Sequence, residues 1–373
     1  MSRKKALIII PTYNEAENIK PLLLSIIDTS LELKGYTVDV LVVDDCSPDG
    51  TGEIVQKLSK RHRNIHLLSG KKAGLGNAYI RGLKYGLEKQ AYDAFIMMDA
   101  DSSHNPSYIP QLLKTLEQGF DYVIGSRYVK GGKVPEDWSV LRLINSKIAN
   151  LLARKLTGIG SATSDATSGY KAVRTKSLQF DLDKLQASGY FFQVALTYAF
   201  ISKRTFRIAE IPIVFTNRKH GASKLRLTDI LEFVYCSYTL NPQSSARKFV
   251  RFCMVGISGV VVNLGTLTVL VRYFHVSPLL GGAIAIETSI ASNFLLNHVY
   301  TFRNSRPKQQ RLIRKFGRFN AASLIGAAMT FAVFSVLYKF IGLQYIVADA
   351  LAIIPSVCFN YWASSTFVWK DRH

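Results

Sequence analysis

Over the first two hundred residues, short apolar runs alternate with longer amphipathic stretches. Residues 6–10, 38–43, 65–68 and 95–98 are almost wholly apolar, as strands buried on both faces are. Between them, a stretch ending near residue 30 and the segments 51–61 and 77–89 read as helices. This order predicts an α/β domain with a mostly parallel sheet and helices on both faces. Three of the runs stop abruptly at polar residues: Pro11-Thr12-Tyr13-Asn14-Glu15, Asp44-Asp45 before Ser47-Pro48-Asp49-Gly50, and Asp99-Ala100-Asp101. Ligands of open α/β sheets sit outside the carboxyl ends of the strands, so both acid clusters are expected on one edge.

The pattern changes after the polar break Asn241-Pro242-Gln243-Ser244-Ser245. Residues 252–271 and 319–338 are uncharged and long enough to span a bilayer. Two further spans, 279–301 and 345–369, carry Glu287 and Asp349. Arg247-Lys248-Phe249-Val250-Arg251-Phe252 returns as Arg314-Lys315-Phe316-Gly317-Arg318-Phe319, and Thr301-Phe302 returns as Thr366-Phe367. A duplicated two-helix hairpin follows, giving an α-helical four-span membrane domain over 246–370 after a first domain over 1–240. Basic residues crowd the 303–318 connection, which by the positive-inside rule puts both termini and the first domain in the cytoplasm of a multi-pass cell-membrane protein.

A formal net charge of +21 admits nucleic acid, an anionic membrane surface or phosphate-bearing substrates. The charge gathers beside the spans without an aromatic–basic signature, so nucleic acid is not expected as a partner. Four cysteines lack CxxC spacing and read as reduced thiols. The apolar run before Pro11 is too short for a signal peptide. Around Arg142, the residues Val140, Leu141, Ile144, Ile148, Leu151 and Leu152 are interleaved with Lys147, Arg154 and Lys155. That spacing fits a helix lying in a membrane interface, and equally an ordinary core helix with a solvated face.

Asp99 and Asp101 carry the chemistry. Two carboxylates at one strand end repel each other unless a cation lies between them, which points to a divalent metal holding a diphosphate. About one Asp-x-Asp triplet is expected by chance in such a chain, and Asp181-Leu182-Asp183, which follows no buried strand, reads as that one. Gly74-Leu75-Gly76 lacks the third glycine of a dinucleotide fingerprint and follows the wrong strand.

Six ordered motifs over residues 6–225 resemble the family 2 glycosyltransferases of GT-A fold, and among them the dolichyl- or polyprenyl-phosphate mannose synthases. They are Pro11-Thr12-Tyr13-Asn14-Glu15, the segment Val43–Thr51, Asp99-Ala100-Asp101 with His104 and Pro106, Gly125-Ser126-Arg127-Tyr128, Asp165-x-x-Ser168-Gly169-Tyr170, and Arg218-x-x-Gly221-x-Ser223-Lys224. The membrane half resembles the GtrA-like four-helix domain. The resemblance implies that Pro11, Tyr13, Glu15, Val43 and Asp45 hold the nucleoside. Asp99, Ala100 and Asp101 would meet the sugar side of the donor, and Arg218 and Lys224 would close over its diphosphate. Mg²⁺ or Mn²⁺ would sit on Asp101, the main ligand, with Asp99 and Ser103. Archaeal members have Gln at the Ser103 position; the shorter serine leaves room for a water. Arg127, Arg142 and Ser146 would grip the acceptor phosphate, with Asp101 and Arg127 as the catalytic pair. The implied reaction moves mannose from GDP-mannose to a dolichyl or polyprenyl phosphate with inversion. Transfer of glucose or another hexose from a UDP-sugar is the alternative, and a lipid-linked sugar flippase with a regulatory soluble domain is the alternative of another class.

Overall fold

The computed structural model describes residues 3–185, 189–203, 205–217, 227–241, 244–303 and 312–369. The chain divides into two compact units, Met1–Ser244 and Ser245–His373.

In the first unit β1 (Lys4–Thr12) leads into α1 (Ala16–Leu31), β2 (Tyr36–Asp44), α2 (Thr51–Ser59), β3 (Ile65–Ser69), α3 (Leu75–Lys89) and β4 (Ala94–Met97). Then come α4 (Ile109–Glu117), β5 (Tyr122–Ser126), α5 (Val140–Thr157), β6 (Lys171–Arg174), α6 (Phe192–Ser202), β7 (Ile208–Pro212) and α7 (Leu227–Leu240). The seven strands lie in the order β3-β2-β1-β4-β6-β5-β7. All pair in parallel except β6, which runs against both β4 and β5.

Successive strand residues point to opposite faces, and the two cores follow that alternation. Ile8, Ile10, Val40 and Val42 pack under α1, α2 and α4. Leu7, Ile9, Leu41 and Val43 pack under α3 and α6. Close approach of α3 requires glycine: a Cβ on Gly82 would meet the Ile9 and Val43 side chains, and one on Gly86 would run into Phe95 and Leu7. The sheet therefore has helices on both faces.

Register brings the functional ends together. Thr12 is level with Asp44, and Ile9 with Met97, so the chain leaves β1, β2 and β4 at one edge. Reversed β6 begins at Lys171, level with both Met97 and Ile124. The loop before it, 163–170, therefore lies at the same edge as the exit of β5.

Helix α5 buries Asn150, Ala153 and Thr157 and packs against α7. Its other side exposes Val140, Ile144, Ile148 and Leu151, a stripe at helical spacing that a water-facing helix would make polar.

The second unit holds α8 (Ser245–Arg272), α9 (Pro278–Leu296), α10 (Leu312–Ser335) and α11 (Tyr345–Ala363). With the π-turns that extend three of them, these are four helices long and apolar enough to cross a membrane. They form two antiparallel hairpins, and one fixed step along the chain carries Phe252 to Phe319, Gly259 to Gly326, Asn293 to Asn360 and Phe302 to Trp369. In each hairpin the glycine seats the asparagine carboxamide of the partner helix. Phe302 and Trp369 stack face to face, 4.5 Å apart and 5° from parallel. The apparent match of Thr301-Phe302 to Thr366-Phe367 is thus out of register: Trp369, not Phe367, is the counterpart of Phe302, because the π-turns Asn297–Thr301 and Ser364–Val368 are the equivalent segments. Glu287 on α9 accepts a 2.9 Å hydrogen bond from Asn320 Nδ2 on α10, which gives this costly carboxylate a polar partner.

Candidate active site

The first two motifs are knitted into one loop system. Asp44 is a clamp: its carboxylate accepts from Thr12 Oγ1 at 2.8 Å, Ser47 Oγ at 2.6 Å and Ser47 N at 2.9 Å. Asn14 N donates to Ser47 Oγ, Glu15 N to Thr51 Oγ1 and Ala16 N to Asp49 Oδ2, so the 47–51 turn caps the start of α1. Asp45 faces the other way. It takes a 2.6 Å ion pair from Arg81 Nη2 on α3 and hydrogen bonds from Ala73 N and Gly74 N. The loop before α3 is thereby held so that Lys72 Nζ rests 3.5 Å from the Tyr13 ring centre. Pro11 and Val43 are buried, Val43 against α3, and shape the floor beneath the exposed edge.

Past β4 the chain turns sharply. Asp101 and Ser103 are buried, and Ser103 N donates to Asp101 Oδ1 at 3.1 Å. Asp99 is fixed at two points: its backbone N–H donates to His104 Nδ1 at 3.0 Å, and Tyr79 Oη donates to its Oδ1 at 3.0 Å. An Nδ1 that accepts leaves the imidazole proton on Nε2. Burial also lowers the His104 pKa, against the pull of Asp99 and Asp101, and keeps the ring neutral. His104 lies between the rings of Tyr170, at 5.0 Å, and Phe215, at 5.6 Å. A Cβ on Gly169 would press to 3.0 Å from both Asp99 Oδ2 and His104 Cε1, so the Ser-Gly-Tyr motif needs its glycine for this approach. After β7, Thr216 closes the loop by donating to Ser102 O and Ser103 O.

Ser103 Oγ is buried with no hydrogen-bond partner, beside the Asp101 carboxylate. Among the described residues no cluster of three His, Cys, Asp or Glu side chains could hold a metal by itself. Two carboxylates and a hydroxyl nonetheless fit a magnesium-type ion, which takes one or two protein carboxylates and completes its shell with phosphate oxygens and water.

The facing side of the edge is cationic. Arg127, at the exit of β5, donates from Nε to Asp165 Oδ2 at 2.7 Å and from Nη2 to Oδ1 at 2.9 Å. It also reaches Thr167 Oγ1 at 2.9 Å, and its backbone N donates to Asp165 as well. Burial alone would raise the fully buried Asp165 carboxyl; Arg127 and the hydrogen bonds hold it below the ordinary carboxylate range. The same contact raises Arg127 against its own burial. Glu210 on β7 accepts from Thr163 Oγ1 and Ser164 N, and Asn150 on α5 bonds Ser164 O and Ala166 N. Tyr128 Oη and Ser146 Oγ are 2.7 Å apart, and the Arg142 guanidinium lies 4.3 Å from the Trp138 ring centre. Arg218 and Lys224 lie outside the described residues.

Residues 7–179 match the family described as glycosyl transferase family 2, and residues 251–369 match the GtrA/DPMS transmembrane domain. A dolichol-phosphate mannosyltransferase of Pyrococcus furiosus is 34% identical over 366 residues, covering 98% of this chain and 99% of its own. The chain belongs to the family 2 glycosyltransferases. Its homologues include dolichol- and polyprenol-phosphate mannose synthases, and its own second half is a GtrA/DPMS transmembrane domain. A polyprenol monophosphomannose synthase of Mycolicibacterium smegmatis is 41% identical over 237 residues, 62% of this chain and 85% of its own. An undecaprenyl-phosphate mannosyltransferase of Micrococcus luteus is 41% identical over 223 residues, 59% of this chain and 87% of its own.

This membrane glycosyltransferase thus has the expected GT-A-like sheet, and its strand ends gather Tyr13, Glu15, Asp45, Asp99, Asp101 and Arg127 at one edge. Several supporting residues escaped the sequence reading. Tyr79 and Arg81 sit two residues apart on α3 and look like ordinary helix residues until β4 and β2 place Asp99 and Asp45 beside them. Lys171 is fully buried and donates to Gln193 O at 2.7 Å and Thr197 Oγ1 at 3.0 Å; desolvation drives its pKa well down. Its signal in the sequence was slight, a lysine opening the short strand Lys171-Ala172-Val173-Arg174 directly after the Ser168-Gly169-Tyr170 motif.

Proposed function

We propose that the enzyme moves mannose from GDP-mannose to a dolichyl or polyprenyl phosphate, giving a lipid phosphate mannose for protein or envelope glycosylation. One observation carries the reading: Gly169 brings the Arg127–Asp165 loop against Asp99, so a carboxylate pair suited to a metal diphosphate borders a guanidinium suited to a second phosphate. The activities for which the three relatives are named support mannose as the sugar.

On this reading Pro11, Tyr13, Glu15, Val43 and Asp45 form the nucleoside side, and Lys72 backs Tyr13. Asp99, Ala100 and Asp101 meet the sugar and diphosphate, with Arg218 and Lys224 closing over them. Asp101, Asp99 and Ser103 would hold Mg²⁺ or Mn²⁺. When bound, the ion neutralises the leaving diphosphate. Arg127, Arg142 and Ser146 hold the acceptor phosphate through charge-assisted hydrogen bonds. That acceptor ionises with a second pKa near ~6, so it is already a nucleophile at neutral pH and needs no strong general base. His104, neutral and committed to the Asp99 backbone, positions that carboxylate rather than taking a proton. Direct attack on the anomeric carbon inverts its configuration.

The exposed stripe Val140, Ile144, Ile148 and Leu151 supports α5 lying in the membrane interface, which brings the lipid phosphate to Arg142 and Ser146 at its first two turns. The basic 303–318 connection supports a cytoplasmic catalytic domain over 1–240 and a two-hairpin membrane domain over 246–370. Incubating membranes that contain the protein with labelled GDP-mannose and, separately, labelled UDP-glucose tests the donor. Label entering lipid from GDP-mannose alone is expected; label from UDP-glucose alone would replace mannose by a glucosyl reading.

A further inference from the structure

Trp138 lies in the loop between β5 and α5, beside Ser139, whose Oγ caps the helix by accepting from Arg142 N. Three contacts converge on its half-buried indole. The Arg142 guanidinium stands 4.3 Å from the ring centre. Nε1 donates to Asn217 Oδ1 at 2.9 Å, and Asn217 in turn donates to the Asp137 carboxylate. The ring meets Phe215 edge-on at 5.9 Å and 79°. Phe215 itself lies 5.3 Å from the Arg127 guanidinium and 5.6 Å from His104. One aromatic pair therefore stands between the two arginines at the site.

Arg142 is in an unfavourable place for a cation. It occupies the first turn of an eighteen-residue helix with no acidic residue in that turn, where the helix dipole is positive. A long, flexible arginine also loses rotamer freedom when it is held in one direction. The electron-rich indole face offsets both, because a guanidinium over tryptophan is attracted to the ring. The indole N–H, tied to Asn217 beyond β7, fixes the plane of that face.

We infer that Trp138 is a positioning residue for acceptor binding: its ring holds Arg142 at the helix N-terminus so that guanidinium and helix end together receive the phosphate of the lipid acceptor. The inference rests on the reading of Arg142 as an acceptor ligand. It assigns Trp138 no contact with substrate and no part in donor binding.

The test uses the full chain in detergent micelles, undecaprenyl phosphate and GDP-mannose, with KM measured for each substrate. Trp138→Leu should raise KM for the lipid about tenfold, within the range a partly desolvated cation–π contact contributes, and leave KM for the donor unchanged. Trp138→Phe keeps a smaller π-face and should fall between wild type and Leu. Because Trp138 acts through Arg142, Trp138→Leu combined with Arg142→Ala should be no worse than Arg142→Ala alone. Losses that multiply in the double variant, or a matching rise in donor KM, would overturn the inference. So would a silent Trp138→Leu beside an Arg142→Ala that loses lipid affinity. An Arg142→Ala that keeps full lipid affinity would overturn the acceptor reading itself, and the inference with it.

Discussion

Arg127 and Asp165 form a buried two-pronged ion pair, with Nε and Nη2 of the one meeting Oδ2 and Oδ1 of the other at 2.7 and 2.9 Å. The proposed acceptor arginine is therefore also a structural partner. Removing it leaves a carboxylate that is 0% exposed without its counter-charge.

Arg127→Ala should destabilise the catalytic domain by ~3–5 kcal/mol, the range for breaking one side of a buried pair. Replacing both partners by apolar residues of similar volume, Arg127→Met with Asp165→Leu, should recover most of the melting temperature and none of the transfer. Thermal unfolding in detergent beside lipid labelling separates the two effects. A stable, active Arg127→Ala would remove Arg127 from both roles.

The same pair sets an acid limit. The folded-state pKa of Asp165 lies below its unfolded value, so the unfolded chain takes up the proton first as pH falls. Stability from this carboxylate is complete above the unfolded range, about pH 4, and is lost as pH drops through the lower folded value. Melting temperature followed from about pH 6 to about pH 3 should fall more steeply for wild type than for Asp165→Asn. Parallel curves would show that the pair contributes nothing to acid unfolding.

Asp101→Asn keeps the shape of the carboxylate and removes its charge. Turnover should drop roughly a hundredfold or more, as expected when an element stabilising a leaving group is lost. Mn²⁺ binding read by electron paramagnetic resonance, with GDP present and no acceptor, should weaken in parallel. Folding should survive, because repulsion between Asp99 and Asp101 is relieved. Asp183→Asn is the control: Asp183 is exposed, pairs with Lys84 and lies in a short turn far along the chain. Wild-type rates and metal binding in Asp101→Asn would mean that another residue holds the ion.

Membrane orientation is checked by fusion reporters. Fusions after residue 275 or 342 should read external, and those after 245, 310 or 373 cytoplasmic, as the basic 303–318 connection requires. A cytoplasmic signal at 275 would break the four-span arrangement.

The alternation of apolar runs and amphipathic helices, the acids closing the runs, and the four long apolar spans were all legible in the chain. Each is a local pattern, set by side-chain direction at a period of two or 3.6 and by the length a bilayer demands. The sequence also marked out the loop Asp165–Tyr170 as a motif, and the repeat that relates the membrane hairpins. It could not say which acids face a ligand. Asp44 and Asp45 are neighbours, yet one clamps a turn through Thr12 and Ser47 while the other takes Arg81 from α3. Nor could it pair Arg127 with Asp165, because that contact exists only where β6 runs backwards between β4 and β5 and returns its loop to the edge. The exposed face of α5 was ambiguous for the same reason, since the packing of α7 and of the loop before β6 selects which side is buried. Tyr79 meets Asp99, and Phe215 meets His104, Arg127 and Trp138, only across tens of residues of chain. Strand order and register decide those meetings, and a pattern of local periods carries neither.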